Sequence, residues 1–444
     1  MSMFSRRSFM TSALGMAADM LTRGASAATN SSRRLPGFPS EDAKWKRSWD
    51  QAAAALAGNT RTLGTYADPV LIEGPGYPGI WMECGPTEAL VNLLRKEYLP
   101  EPQNEVAAEL AIANHMAFFE LQRPDGQIPA NIWQKKVGFG QIQMVVPIAA
   151  TAWETAQITK SERLLESAYA ACSRWDAWLR RYRDTRRTGL TEGFCTYDTG
   201  QDNSPRWAGM PNVCPGGDAR VLPAARGLPR LSPDLSATTY GARMALASMA
   251  TALGKNSEAD RWLHDAETIR KLIIEKLYSP EGGTFYDLDS DNKFVRVRSC
   301  VITRVLGEHV LKPDVRSDQV IFRNVWEKQL HNPKAFWSPF PFPSIALNDP
   351  TFVWPIMPNS WGGPAQALTA LRAPRWMPYY GKAKEMEYLM RQWTTAIADS
   401  GVDYQQMNPV TGEFTLERSA GGYSPTALVY IDFTCRLRSG QNLL

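Results

Sequence analysis

Histidine is scarce in this chain: four in 444 residues, His115, His264, His309 and His331, all far apart in the sequence. The six cysteines, Cys84, Cys172, Cys195, Cys214, Cys300 and Cys435, include no Cys-x-x-Cys pair. Neither residue type has the spacing of a metal site, so no metal and no cofactor is expected. There is also no block of Lys or Arg to track a phosphate backbone, and the formal charge is only +4, which excludes nucleic acid as a partner. No run beyond the N-terminus reaches the ~18 apolar residues of a membrane span, so no stable membrane anchor is expected. Strand-like alternation is confined to short pieces at 284–287 and 293–297, which predict one hairpin across a turn at Asp289 to Asn292.

Aromatic residues are abundant by contrast, at 10% with 15 Trp. Six of these, Trp81, Trp133, Trp207, Trp337, Trp354 and Trp361, fall in Gly/Pro-rich stretches. A ring placed in a loop suits stacking on a flat polar ligand, whereas a ring in a helix is more often core.

The N-terminus carries Ser5-Arg6-Arg7-Ser8-Phe9-Met10, a weakly apolar stretch to Leu21 and Ala25-Ser26-Ala27. This is the pattern of a twin-arginine signal peptide cleaved after Ala27. It predicts passage through the twin-arginine translocase and a periplasmic or secreted product. Loss of residues 1–27 removes three Arg and one Asp and leaves a charge of about +2. Residues 28–40 read as a flexible linker, and 41–444 as a single domain.

Within that domain apolar positions recur at helical spacing in twelve segments: 41–57, 85–98, 104–122, 141–158, 161–184, 234–253, 256–277, 299–310, 316–331, 361–376, 382–399 and 424–438. Helix pairs separated by long Pro-rich loops predict an all-α (α/α)6 toroid, a six-hairpin barrel with apolar inner and amphipathic outer helices. Segment 162–183, with one apolar stripe and Arg180, Arg181 and Arg183 at its end, reads as an outer helix. Segment 141–155 is apolar almost all round and reads as an inner one. Its start, with Gln143, is expected to open into the central cavity, where that amide either meets a hydroxyl-rich ligand or caps the helix.

The stretch Tyr197-Asp-Thr-Gly-Gln-Asp-Asn-Ser-Pro-Arg-Trp207 gathers carboxylates, turn residues, an arginine and an aromatic in one loop. A held carboxyl can protonate a poor leaving group, and aromatic faces and polar tips can hold a sugar ring. Asp202 is the candidate acid, with Asp198, Asn203, Arg206 and Trp207 as ligand contacts; a plain turn capped by Asp202 or Asn203 is the alternative. The aperiodic segment after Trp207, rich in Pro and Gly to Pro233, is expected to wall the same cavity. Cys195 and Cys214 flank the acid loop and either bridge it in an oxidising compartment or remain buried thiols.

The segment 199–207 resembles the Ser-Gly-x-Asp-Asn-Ser-Pro-Arg motif of the processing α-glucosidase I and mannosylglycerate hydrolase families and the related trehalase motif. The resemblance implies an inverting glycoside hydrolase with Asp202 as its general acid. Weaker matches follow the family order. Gly74 to Pro86, with Trp81 and Glu83, is similar to the Phe-Trp-Asp-x-x-Phe region, and Asn359 to Pro364, with Trp361, to Tyr-Trp-Arg-Gly-Pro. Tyr404 to Glu413 is similar to Glu-Asn-Tyr-Asn-Pro-x-Thr-Gly, whose leading Glu is the general base of the family. Here that position is Gln405, and an amide cannot take the proton.

Three readings of this departure are open. Another carboxylate serves as base, with Glu413, Glu83 and Asp198 as candidates; phosphate attacks instead, as in inverting phosphorylases; or the chain binds carbohydrate without cleaving it. A polysaccharide lyase or sugar epimerase on the same toroid is disfavoured by the scarcity of His. The first reading is preferred because the acid motif is intact, and it makes the partner an oligosaccharide or glycoside substrate.

Overall fold

The computed structural model describes residues 43–354, 359–415 and 421–439. The expected signal segment 1–27 and the expected linker 28–40 lie outside the described residues. The described residues form twelve α-helices: α1 (Ala43–Gly58), α2 (Gly85–Leu94), α3 (Gln103–Glu120), α4 (Ile148–Thr159), α5 (Glu162–Tyr182), α6 (Pro233–Ala252), α7 (Asn256–Leu277), α8 (Val301–Gly307), α9 (Arg316–Val325), α10 (Ala367–Arg372), α11 (Ala383–Ser400) and α12 (Ser424–Ser439).

Even-numbered helices make the inner ring. Helix α2 packs on α4, α4 on α6, α6 on α8, α10 on α12, and α12 closes back on α2. The remaining gap is spanned where α8 meets the turn Ala373–Arg375 that follows α10. Odd-numbered helices pack outside, most extensively α7 against α6. This is the expected (α/α)6 toroid.

Local chemistry accounts for the helix ends. Ser161 caps α5 by accepting from the Leu164 amide at 3.2 Å, and Arg180 and Arg181 sit at its C-terminus. Its buried stripe of Leu164, Ala168, Cys172, Trp175, Trp178 and Leu179 is that of an outer helix, and Trp175 stacks on Trp178 at 4.9 Å. Burying each such ring contributes about 1.5–3 kcal/mol. Helix α6 opens with Pro233 at its first turn, where the missing N–H is harmless, and is buried along nearly its whole length.

Two helices begin later than their apolar runs. Residues 141–147 are buried but not helical, with Gln143 at φ 44° and Pro147 directly before α4. The expected inner helix therefore starts at Ile148, and Gln143 lies on the loop before it. Likewise 361–366 is loop and strand, and α10 starts at Ala367.

Strand content exceeds the single predicted hairpin. That hairpin exists, as Asp287–Leu288 pairs with Phe294–Val295, but it is the edge of a four-stranded sheet that also includes Arg230–Leu231 and Glu192–Gly193. A three-stranded sheet carries Gly79–Trp81, Asn131–Trp133 and Val137–Gly138, and Ala365–Gln366 pairs with Gln406–Met407. These short pairings fix the loops that connect the helices.

Candidate active site

Four segments distant in sequence meet at one place: 73–88, 199–207, 359–366 and 405–407. The strand pair Ala365–Gln366 with Gln406–Met407 sets the last two in register. The Gln406 side-chain oxygen reinforces it, accepting from the Ser360 amide at 2.7 Å and from Gln366 Nε2 at 2.9 Å. The acid loop is fastened to the same frame, since the Trp361 amide donates to the Asp202 carbonyl at 2.9 Å and Asn203 Nδ2 donates to the Asn359 carbonyl at 2.8 Å.

Asp202 itself is partly exposed, and its Oδ2 accepts from Asn359 Nδ2 at 2.7 Å. Asn359 Oδ1 in turn accepts from Gln405 Nε2 at 2.8 Å, and Gln405 Oε1 accepts from the Tyr77 hydroxyl at 2.9 Å. The position of the missing family base is thus tied to the candidate acid through a single amide.

Glu83 packs against the acid loop at Gly200. It is buried, and a Cβ added at Gly200 would fall 1.4 Å from its Oε2, so that oxygen presses against the backbone of the loop. Oε2 has no hydrogen-bond partner among the described residues. Burial pushes the Glu83 carboxyl up to about 8, with the charge of Asp202 adding to the rise and Arg372 and Arg304 opposing it. Arg372 Nη2 also donates to the Glu83 carbonyl at 2.8 Å.

Further carboxyls stand behind it. Glu73, raised by burial and by Glu88 and Glu83, accepts from the Tyr423 hydroxyl at 2.7 Å. Burial pushes Glu88 up to about 7. Glu73, Glu83 and Cys84 bring one donor atom each within 4.8 Å of one another, a cluster that sequence spacing does not reveal. Arg372 and Arg304 supply positive charge beside it.

Several expected ligand contacts have structural work instead. Asp198 is fully buried, ion-paired to Arg183, and accepts from the Phe194 amide at 2.7 Å, Ile142 at 2.9 Å and Cys195 at 3.2 Å. Its carboxylate ties the end of α5 and the 141–147 loop to its own loop, which removes it as base and as sugar contact. Arg206 grips two carboxylates bidentately, Asp234 (Nη1 2.9 Å, Nη2 2.7 Å) and Asp287 (Nε 2.5 Å, Nη2 2.6 Å), and also reaches Gln201 Oε1 at 2.9 Å and Ser232 Oγ at 2.6 Å. It clamps the acid loop to α6 and the hairpin rather than facing substrate.

Among the loop tryptophans, Trp207 and Trp361 are 2% and 1% exposed. Trp207 packs near the Arg206 and Arg230 guanidinium groups and against Gly193, and Trp361 beneath Arg304. Both are core. Trp81 is buried edge-on to Tyr77 and Trp133, and Trp133 stays partly open. Trp337 packs among His331, Phe342 and Tyr388, and Trp354 is exposed at the edge of the described residues. Gln143 is buried, with its oxygen accepting from Gln141 Nε2 at 3.1 Å.

Glu413 is exposed in the turn after Gln406–Met407 and accepts from Thr411 Oγ1 at 3.3 Å, whereas Glu83 faces the acid loop. Asn203 is exposed, with φ 56°. Cys195 and Cys214 are both buried free thiols with sulfurs 3.8 Å apart. The residues missed in the sequence are Glu73, Arg304, Arg372 and Asn359. Asn359 stands inside a matched motif, but the other three carry no local signal because only the ring closure brings them in.

The comparisons with known proteins agree with this architecture. A GH63 mannosylglycerate hydrolase from Thermus thermophilus, solved in complex with Tris, superposes with a TM-score of 0.66 at 18% identity, covering 87% of this chain and 99% of that one. The neutral trehalase of Saccharomyces cerevisiae gives 0.60 at 13% identity over 86% of this chain and 78% of that one. A Klebsiella oxytoca rhamnosidase with rhamnose bound gives 0.57 at 11% identity, over 90% and 64%. At such identities these likenesses show the fold. No curated protein sequence matches the chain. The sequence model described as "Mannosylglycerate hydrolase MGH1-like glycoside hydrolase domain" matches residues 106–425, nearly three quarters of the chain. With the toroid closed around the acid loop and that match spanning it, this chain belongs to the mannosylglycerate hydrolase MGH1-like glycoside hydrolases and is a glycosidase.

Proposed function

We propose that this glycosidase works by inversion after export, with Asp202 as general acid and Glu83 as general base. The observation that carries the reading is that two carboxyls meet at one loop, Asp202 on it and Glu83 packed against it. Asp202 is partly open and Glu83 is pressed against Gly200 beneath it.

Protonated Asp202 gives its proton to the glycosidic oxygen as the bond from that oxygen to the anomeric carbon breaks. Water attacks the opposite face of the sugar, and Glu83 takes the proton that the water loses. The inverted sugar leaves, Glu83 releases its proton to solvent and Asp202 regains one.

The Glu83 carboxyl is raised by burial and further by the charge of Asp202. Arg372 and Arg304 oppose that rise and favour the charge that a base needs. Gln405 holds Asn359 rather than activating water.

A second reading keeps Gln405 as the mark of a carbohydrate-binding protein without turnover, because its amide is committed to Asn359 and Tyr77. Mannosylglycerate, named in the family description, is the first compound to assay within a panel of α-linked glycosides, with and without phosphate. Proton NMR of the first product reads the outcome. An inverted reducing sugar supports hydrolysis, a sugar phosphate replaces it with phosphorolysis, a retained anomer overturns the mechanism, and binding without product establishes the second reading.

A further inference from the structure

The hydrogen bonds around Asn359 have a direction. Tyr77 donates to Gln405 Oε1 at 2.9 Å, Gln405 Nε2 donates to Asn359 Oδ1 at 2.8 Å, and Asn359 Nδ2 donates to Asp202 Oδ2 at 2.7 Å. Asn359 is also anchored through its backbone, whose carbonyl accepts from Asn203 at 2.8 Å. Its φ of 52° is a left-handed conformation that Asn adopts more readily than most residues.

From this, and resting on the reading of Asp202 as the acid, the geometry points to Asn359 as the positioning residue of that acid, with Gln405 and Tyr77 fixing which end of its amide faces Asp202. A carboxyl whose Oδ2 already accepts a hydrogen bond carries its proton on Oδ1. Asn359 therefore selects the oxygen that delivers the proton and holds the plane of the carboxyl. It also stabilises the ionised form left after transfer, since a donor to a carboxylate favours its charged state.

This explains the residue at 405. An ionised carboxylate in place of the Gln405 amide has no N–H to donate to Asn359 Oδ1. The Asn359 amide would turn over to donate to that carboxylate, and its oxygen would then face Asp202. Amide in place of carboxylate thus keeps the donor end of Asn359 on the acid. Among the described residues, Glu83 and Glu73 both feel the charge of Asp202, and Arg372 and Arg304 act on Glu83. None of them sets the direction of the amide chain.

The test uses neutral variants, so that no new charge is introduced: Asn359→Ala, Gln405→Met and Tyr77→Phe. Asp202 is followed directly in full-length protein labelled with 13C at the aspartate carboxyl, its signal assigned by its loss in Asp202→Asn. Asn359→Ala is expected to raise the Asp202 midpoint by about one pH unit and to lower kcat by about tenfold or more with KM nearly unchanged. Gln405→Met and Tyr77→Phe should move both in the same direction by less. An unmoved midpoint in Asn359→Ala overturns the proposal, and if that variant fails to fold, an unmoved midpoint and kcat in Tyr77→Phe does so. The titration needs no substrate. It separates failure of this proposal from failure of the acid assignment, which would show as near-normal turnover in Asp202→Asn.

Discussion

The Oε2 atom of Glu83 occupies the space where a side chain at Gly200 would begin: a Cβ there would lie 1.4 Å from it, on a backbone with φ of 59°. Acid loop and buried carboxyl are thus packed on each other, and neither can move alone. In Gly200→Ala the left-handed backbone costs about 1–2 kcal/mol and Glu83 must be displaced as well. Turnover should fall about a hundredfold or more, and thermal denaturation should show a lower Tm. Wild-type kinetics in this variant would separate Glu83 from the chemistry.

Asp202→Asn and Glu83→Gln should each lower kcat by about 10²–10⁴-fold, the usual contribution of a positioned acid or base. They are expected to differ under rescue. Azide needs no base, so it should restore product formation in Glu83→Gln as the inverted glycosyl azide and leave Asp202→Asn unchanged.

Because a base must be ionised and the Glu83 carboxyl is pushed up to about 8, kcat/KM should rise with pH on its acid limb well above the ordinary carboxylate range. The limb should be absent in Glu83→Gln. A profile flat from pH 5 to 8 in the wild type would contradict the assignment.

Glu308 is buried at the end of α8, where burial pushes its carboxyl up to about 8 against the opposing charges of Arg375 and Arg372. Its folded value exceeds the ordinary 4.5, so the stability it contributes is full below about pH 4.5 and is lost as pH rises through about 8. Glu308→Gln should therefore raise the Tm relative to wild type at pH 8.5, by roughly 2 °C or more. At pH 5 the two should nearly coincide. Calorimetry across that range checks the sign.

Replacing Arg6 and Arg7 together by Lys should hold the precursor inside the cell, whereas the unaltered chain should yield a mature periplasmic protein beginning at Ala28. Cell fractionation and N-terminal sequencing of the product decide it.

The helices were legible in the sequence because each buries one face or all faces at a constant spacing, and all twelve segments have counterparts in the toroid. The acid loop was legible because its residues are contiguous. What lay beyond reach was the use of charges inside that loop. Asp198 and Arg206 look like sugar contacts beside Asp202, yet Arg183, Asp234 and Asp287 arrive from other elements and consume them. Trp207 and Trp361 misled in a related way, since a loop position does not make a ring exposed once the loop is folded inward. The apolar run at 141–147 is not a helix because an irregular buried segment, turned at Gln143 and ending at Pro147, achieves the burial there.

Closure of the ring has a temporal consequence. Glu73, just before the first inner helix, is held by the Tyr423 hydroxyl at 2.7 Å, and its carbonyl accepts from the Ser424 amide at 2.8 Å as the last helix begins. A ribosome that has made three quarters of this polypeptide has therefore made no working pocket, however well the early hairpins have formed. A prematurely terminated chain that lacks the final helix lacks both contacts that fasten Glu73 beside Glu83.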